Sequence, residues 1–352
     1  MSKTQYSVLG VMSGTSLDGI DLAHVQLRCD GNWQFKICHA QTISYSLKWK
    51  DKLSNLTSKS KDALVSIDED YTNLLAQVIN DFIERNSIEN LDAICSHGHT
   101  ALHRPEEKLT YQLGNRSELA TKTGQKVVCD FRVQDVELGG QGAPLVPIGD
   151  HLLFSQFDYC LNLGGFANTS YNQNGKRIAY DICPVNSVLN RYALLLGQDY
   201  DDGGMLASSG NLNDGLLNHL NGLSFYAEPA PKSLGLEWVE KEIIPLIDRF
   251  DLSPTDVLRT FTEHVAMQLA RSFDEYSKVL VTGGGVYNTF LLERLKCLKN
   301  IEVEIPSSQI IEFKEALIFA LLGVLNLRGE INCLSSVTGA TQDHSSGVVF
   351  EP

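Results

Sequence analysis

Strand-like and helical periodicities alternate along this chain, and two of its apolar runs share one design. From Val8 to Leu27 the sequence VLGVMSGTSLDGIDLAHVQL enters a short turn of small residues and leaves as a second apolar run. The segment YCLNLGGFANTSY, from Tyr159 to Tyr171, repeats that pattern around Gly164 and Gly165. Each suits a β-hairpin whose turn amides are free to meet an anion, and two such loops facing each other would grip a polyphosphate. The separation of the turns, close to the usual length of one domain, reads as a duplicated fold.

The remaining pattern predicts α/β organisation. A second strand pair is expected around Trp33 to Ile43. Leu64, Ile67, Tyr71, Leu74, Leu75, Val78, Ile79 and Phe82 then keep helical spacing. The strand LDAICS is expected to deliver His97, Gly98 and His99 to a loop, and a helix over Arg116 to Thr123 precedes the strand KVVCDF. The Gly- and Pro-punctuated ELGGQGAPLVP, Glu137 to Pro147, reads as a connector near a domain crossing. This gives an N-terminal α/β domain over 1–135, completed by 335–352, and a C-terminal α/β domain over 136–334.

In the second domain, the strand from Asp158 to Leu163 should turn at Gly164 and Gly165 and turn back at NQNG before KRIAYDI. Ser253, Pro254 and Asp256 mark a helix start, with Leu258, Phe261, Val265, Leu269 and Phe273 as its apolar stripe. The strand KVLVT runs into Gly283, Gly284 and Gly285, and a nearly all-apolar helix from Ala316 to Leu327, with Glu315 at its start, is expected to be buried. The stretch from Asp199 to Leu236 reads as long, irregular and substrate-facing.

Composition narrows the function. A formal net charge of −14 without a Lys/Arg cluster argues against nucleic-acid binding. No run approaches the ~20 apolar residues of a membrane span, so a cytoplasmic protein with no membrane partner is expected. The cysteines at 29, 38, 95, 129, 160, 183, 297 and 333 show no CxxC pair and no His at zinc spacing, and read as reduced thiols.

Several segments carry candidate chemistry. In GVMSGTSLDGID, the small residues Ser13, Gly14, Thr15 and Ser16 let a triphosphate approach the backbone, and Asp18 and Asp21 can hold Mg²⁺ directly or through water. The same residues also suit an ordinary polar hairpin. In LVTGGGVYN the glycines 283–285 stand between strand and helix, which fits either a nucleotide or a tight turn. Asp181, expected to end the strand RIAYDI ahead of Cys183, Pro184 and Asn186, can serve as a general base or cap a turn. SHGHTALHRP offers three histidines and an arginine for polar recognition of a sugar or phosphate, with a purely structural loop as the competing reading. A metal is less suited, since in an extended segment the two histidines of HGH point to different faces and no carboxylate or Cys completes a set.

Assembled in order, GVMSGTSLDGID, SHGHTALHRP, CDFRVQDVELGGQGAPLVP, LNLGGFAN, YDICPVN, PKSLGLE, VTGGGVYN, KEALIFALL and SSVTGA closely resemble the anhydro-N-acetylmuramic acid kinases over nearly the whole chain. The resemblance implies a two-domain actin/Hsp70/sugar-kinase-like, ribonuclease H-like duplicated fold with a central interdomain cleft. It implies a homodimer that uses ATP and Mg²⁺ to open the 1,6-anhydro ring of anhydro-N-acetylmuramic acid and phosphorylate O6, in cell-wall recycling. It places Asp181 as the catalytic aspartate. Gly14, Thr15, Ser16, Leu17, Asp18, Gly19, Ile20, Asp21, Gly164, Gly165, Gly283, Gly284, Gly285 and Asn288 fall on nucleotide, and His97, Gly98, Asn186 and Glu315 on sugar. Here HGHT replaces the commoner HGQT, Ile182 and Val185 bracket Cys183 and Pro184, and Leu236 replaces an arginine. A kinase for another sugar, or a nucleotide or sugar sensor without transfer, are the rival readings.

Overall fold

Gln5–Ser13 (β1) carries the unbroken apolar run Val8 to Met12 because it becomes a central strand, buried on both faces from Val8 onward. The computed structural model describes residues 3–14 and 16–352. β1 pairs antiparallel with Gly19–Asp30 (β2), and β2 with Asn32–Ser44 (β3). The segment around Trp33 to Ile43 is thus one long strand and not a pair. Its alternation of Trp33, Phe35 and Ile37 with polar residues contains no turn residue, and β3 absorbs one extra residue, Cys38, as a bulge opposite His24 and Val25.

Helix Lys61–Arg85 starts where the Ser60 side chain accepts from the Ala63 N–H, and it buries Leu64, Tyr71, Leu75, Val78, Ile79 and Phe82. Ala93–Arg104 (β4) then lies parallel to β1, with Leu109–Leu113 (β5) antiparallel beside it. Val127–Cys129 (β6) is parallel to β4.

The second sheet repeats the plan. Tyr159–Leu163 (β7), Phe166–Gln173 (β8) and Lys176–Pro184 (β9) form an antiparallel meander. Asn174 and Gly175, with φ of 52° and 76°, close its second turn as an Asn-Gly pair should. Lys278–Thr282 (β10) is parallel to β7, and Glu302–Glu304 (β11) to β10. Helix Pro254–Ser272, capped by Ser253, buries Leu258, Phe261, Val265 and Leu269. Between Asp199 and Leu236 the chain is not a long irregular loop: it holds the short helices Met205–Ser209 and Asp214–Asn221, whose Leu216, Leu217 and Leu220 are core.

Among the described residues the first sheet runs β12-β6-β4-β1-β2-β3, with Val348–Phe350 (β12) antiparallel to β6, and the second runs β11-β10-β7-β8-β9. In both, three strands of a meander are followed by parallel strands added beside the first. This shared order is the duplicated, ribonuclease H-like α/β topology expected from the sequence.

The compact units are Met1–Leu153 with Phe313–Pro352, and Phe154–Glu312. The division expected at 135/136 and 334/335 therefore lies elsewhere. The Gly/Pro-rich connector belongs wholly to the first unit, because helix Val146–Leu153 beyond it packs Gly149 against Ile318. Ile318 belongs to helix Ser308–Leu327, whose residues Ala316 to Leu325 are buried. That helix approaches β1 so closely that a Cβ on Gly10 would stand 1.9 Å from the Ala316 carbonyl oxygen. Among the described residues no helix is long and apolar enough to cross a membrane.

Candidate active site

The β1–β2 turn holds Gly14, Ser16, Leu17 and Asp18; Thr15 lies outside the described residues. Ser13, the residue that enters the turn, is fixed by a buried relay. Its hydroxyl lies 2.6 Å from the Tyr45 hydroxyl and 2.9 Å from His99 Nδ1, and Tyr45 is bonded onward to Tyr71 at 2.7 Å. Burial lowers His99 to about 4, so its ring is neutral at pH 7.

Beyond the turn, Gly19 and Ile20 serve the sheet. A Cβ on Gly19 would meet the Ile43 carbonyl oxygen at 2.4 Å, and the Ile20 side chain is core. Asp21, half-buried, accepts a 2.6 Å hydrogen bond from Thr42 on β3, while Asp18 is exposed.

His97, Gly98 and His99 are not on a loop: β4 continues through them. Gly98, at φ 74°, bends the strand where a Cβ would strike the Leu113 carbonyl oxygen at 2.4 Å, and both histidines become buried. His97 Nδ1 lies 2.8 Å from the Gly98 carbonyl and Nε2 accepts from Arg132 Nε at 2.8 Å. With both ring nitrogens engaged, and its proton affinity lowered first by burial and then by Arg132, His97 is a neutral support for that guanidinium.

Arg132 was not apparent from the sequence, where it is a lone cation after an apolar strand. It also donates to the Gly142 carbonyl, and burial brings it down to about 10 against the opposing pull of Glu315. Glu315 does not start its helix but lies in the third turn of Ser308–Leu327, because Ser308 to Lys314 add turns ahead of the apolar run. Its side chain is exposed, yet the surrounding protein raises its carboxyl; Arg132 and Lys314 oppose that rise and Asp21 adds to it. Asp21, Glu315, Arg132 and His97 are thus electrostatic neighbours in the first unit.

In the second unit, parallel strands β7 and β10 both run out at glycine turns, so their carboxyl ends share one edge. A Cβ on Gly283 would stand 2.7 Å from the Leu163 carbonyl oxygen, and one on Gly285 would stand 2.8 Å from Leu163 Cβ and 3.5 Å from Asn186 Nδ2. The Gly165 carbonyl accepts from the Val185 and Ser187 N–H groups, which seats the start of helix Asn186–Leu194 on the first turn. Gly164, Gly165, Gly283, Gly285 and Asn186 are therefore together. Gly284 has no atom within 4 Å of its Cβ position, so a ligand can approach its backbone. Asn288 is committed to capping helix Thr289–Leu298, its Oδ1 accepting from the Leu291 N–H at 3.0 Å.

Asp181 does not end its strand. β9 continues to Pro184 across a bulge in which Asp181 faces Asn168 and Cys183 faces Ala167, leaving Ile182 extra. Such a bulge re-aims neighbouring side chains. The Asp181 Oδ2 accepts from the Leu234 N–H at 2.8 Å, and its own N–H donates to the Lys232 carbonyl at 3.0 Å. Oδ1 has no protein partner among the described residues. Burial raises the carboxyl above its ordinary range, opposed by the Leu234 N–H. One oxygen held and one open, with proton affinity increased, is the disposition of a general base.

A profile of the anhydro-N-acetylmuramic acid kinase family matches residues 6–352. An anhydro-N-acetylmuramic acid kinase of Vibrio cholerae serotype O1 is 34% identical, over 98% of this chain and 98% of its own. One of Xylella fastidiosa is 35% identical, over 94% and 93%. Among solved structures, component A of the (R)-2-hydroxyglutaryl-CoA dehydratase of Acidaminococcus fermentans is 14% identical, covering 91% of this chain and 98% of its own, with a TM-score of 0.46.

Proposed function

The chain belongs to the anhydro-N-acetylmuramic acid kinase family, phosphotransferases acting on a sugar, and from that premise we propose a hydrolytic kinase reaction in which Asp181 is the base. The substrates are ATP, water and 1,6-anhydro-N-acetylmuramic acid, and the products are ADP and N-acetylmuramic acid 6-phosphate. The observation that supports this most is the Asp181 carboxylate, held through one oxygen by Leu234 and raised in proton affinity by burial.

The substrate has no O6 hydroxyl, since O6 closes the anhydro bridge to the anomeric carbon. Water attacks that carbon while Asp181 removes its proton, and the C1–O6 bond breaks. O6 then accepts the γ-phosphoryl group as its bond to ADP breaks. Such transfer depends mainly on positioning and electrostatics.

The β1–β2 turn and the turns at Gly164–Gly165 and Gly283–Gly285 are assigned to the nucleotide, and the open approach to Gly284 fits that assignment. A magnesium ion would offset phosphate charge, with Asp18 and Asp21 as the carboxylates to hold it directly or through water. Arg132, set by His97, and Glu315 and Asn186 are assigned to the sugar. The family chemistry fits a homodimer in the cytoplasm that recycles peptidoglycan fragments.

Asp181→Asn keeps the size of the side chain and removes the base. It is expected to leave ATP affinity unchanged and to lower turnover at least ~100-fold, measured as ADP release dependent on the anhydro sugar. Near-normal turnover would remove Asp181 from the mechanism.

A further inference from the structure

Asp135, Cys333 and His344, distant in sequence, meet at one buried point of the first unit. Cys333 and His344 form an isolated antiparallel bridge and exchange N–H···O bonds of 3.1 and 3.2 Å, which sets their side chains next to each other. Helix Val133–Glu137 brings Asp135 Oδ1 to 3.1 Å from Cys333 Sγ and 3.7 Å from His344 Nε2. The three ligand atoms lie within 4.8 Å of one another. Bonds of about 2.0–2.3 Å to a tetrahedral zinc ion would separate such atoms by roughly 3.3–3.8 Å, so little movement is needed.

The imidazole is already oriented for coordination. His344 Nδ1 lies 3.1 Å from the Gln342 carbonyl, which only accepts, so Nδ1 carries a proton and Nε2 is the ring atom turned toward Asp135. That Nε2 is buried without a hydrogen-bond partner, and the Asp135 Oδ1 it faces stands 3.7 Å away, too far for a hydrogen bond. The carboxylate is equally fixed: Oδ2 accepts from the Gly142 N–H and Oδ1 from the Thr338 hydroxyl, both at 2.7 Å. Backbone and hydroxyl partners of this kind orient metal ligands.

We propose that Asp135, Cys333 and His344 bind a divalent transition-metal ion, with zinc the best fit to a carboxylate, thiolate and imidazole set. The site is separate from the magnesium carboxylates Asp18 and Asp21, and with three protein ligands a water molecule would complete its four-coordination. On binding, the Cys333 S–H proton leaves to solvent as the sulfur–metal bond forms. The carboxylate and thiolate then balance the two positive charges, which suits a buried position. Burial, followed by the charge and hydrogen bond of Asp135, holds the free thiol protonated, with Thr338 and Arg132 opposing. The metal would tie the Cys333–His344 segment to the loop at Gly142, whose carbonyl holds Arg132.

The test uses the full-length protein stripped with a chelator and titrated with cobalt(II), a spectroscopic stand-in for zinc. About one cobalt per chain is expected, with a thiolate-to-cobalt charge-transfer band and the strong visible bands of four-coordination, displaced by zinc. Cys333→Ser should lose the charge-transfer band, and Cys297→Ser, which alters an exposed thiol, should keep it. A wild-type spectrum without that band overturns the proposal whether or not the variants fold. So does a band that survives in Cys333→Ser or disappears in Cys297→Ser.

Discussion

Gly283 and Gly284 are neighbours for different reasons, and replacing each with alanine separates them. At Gly283, φ is 84° and a Cβ would lie 2.6 Å from Asn162 Oδ1, 2.7 Å from the Leu163 oxygen and 2.8 Å from the Leu163 carbonyl carbon. With ψ at 161° this backbone region is essentially restricted to glycine and costs an L-residue about 1–2 kcal/mol, and forcing a methyl against backbone adds about 1–3 kcal/mol. The total of about 2–5 kcal/mol corresponds to a melting-temperature drop of roughly 4–20 °C for a unit of this size. At Gly284 no atom lies within 4 Å and φ is not in the left-handed region, so Gly284→Ala should change stability by less than about 0.5 kcal/mol. If that open space receives a nucleotide, the added methyl should weaken ATP binding at least tenfold, about 1.4 kcal/mol. Thermal melts followed by calorimetric titration with ATP read both quantities. Wild-type ATP affinity in Gly284→Ala would refute the ligand role of the turn. A Gly283→Ala protein as stable as the parent would refute the steric argument.

The acidic limb of the turnover–pH profile should lie above the ordinary carboxylate range, because Asp181 must be ionised to act and burial raises its proton affinity; a limb at or below the usual Asp value contradicts this. His99 is lowered to about 4, so the unfolded chain takes up its proton as pH falls below about 6.5 while the folded chain does not until near 4. The stability this histidine contributes is present above its unfolded value and lost as pH falls. Urea titrations at pH 7 and pH 5 should therefore differ by about 2 kcal/mol more in the parent than in His99→Gln. Lys314 and Asp150 form a buried ion pair at 2.7 Å, so Lys314→Met should lower stability by about 3–5 kcal/mol, and unfolding midpoints within experimental error of the parent would contradict that.

The hairpins, long helices and glycine turns were legible because each depends on local period and turn chemistry. From Val8 an apolar run enters a turn of small residues and leaves as a second run to Leu27, and Ser253 with Pro254 marks a helix start regardless of context. The misreadings came where tertiary packing decides. The apolar run LDAICS stops at Ser96, but Gly98 lets β4 carry on through both histidines. The Gly/Pro-rich connector resembled a domain crossing, although helix Val146–Leu153 beyond it packs on Ile318 of the same unit. Glu315 seemed to open a helix because the unbroken apolar run begins only at Ala316, yet Ser308 to Lys314, with Glu312 and Lys314 interrupting Ile310, Ile311 and Phe313, form its first turns. Arg132 and the Asp135–Cys333–His344 cluster carry no spacing signal, since their partners come from distant strands and helices.

The central claim is that water, and not a sugar hydroxyl, attacks in the chemical step, with Asp181 removing its proton. The most direct measurement is mass spectrometry of the 6-phosphate product formed in oxygen-18 water and quenched before solvent exchange at the reducing carbon, with unlabelled product incubated in parallel. Label on the anomeric oxygen, and none between C6 and phosphorus, is the expected result. Label between C6 and phosphorus, or phosphorylated sugar with no label beyond the exchange control, would contradict it.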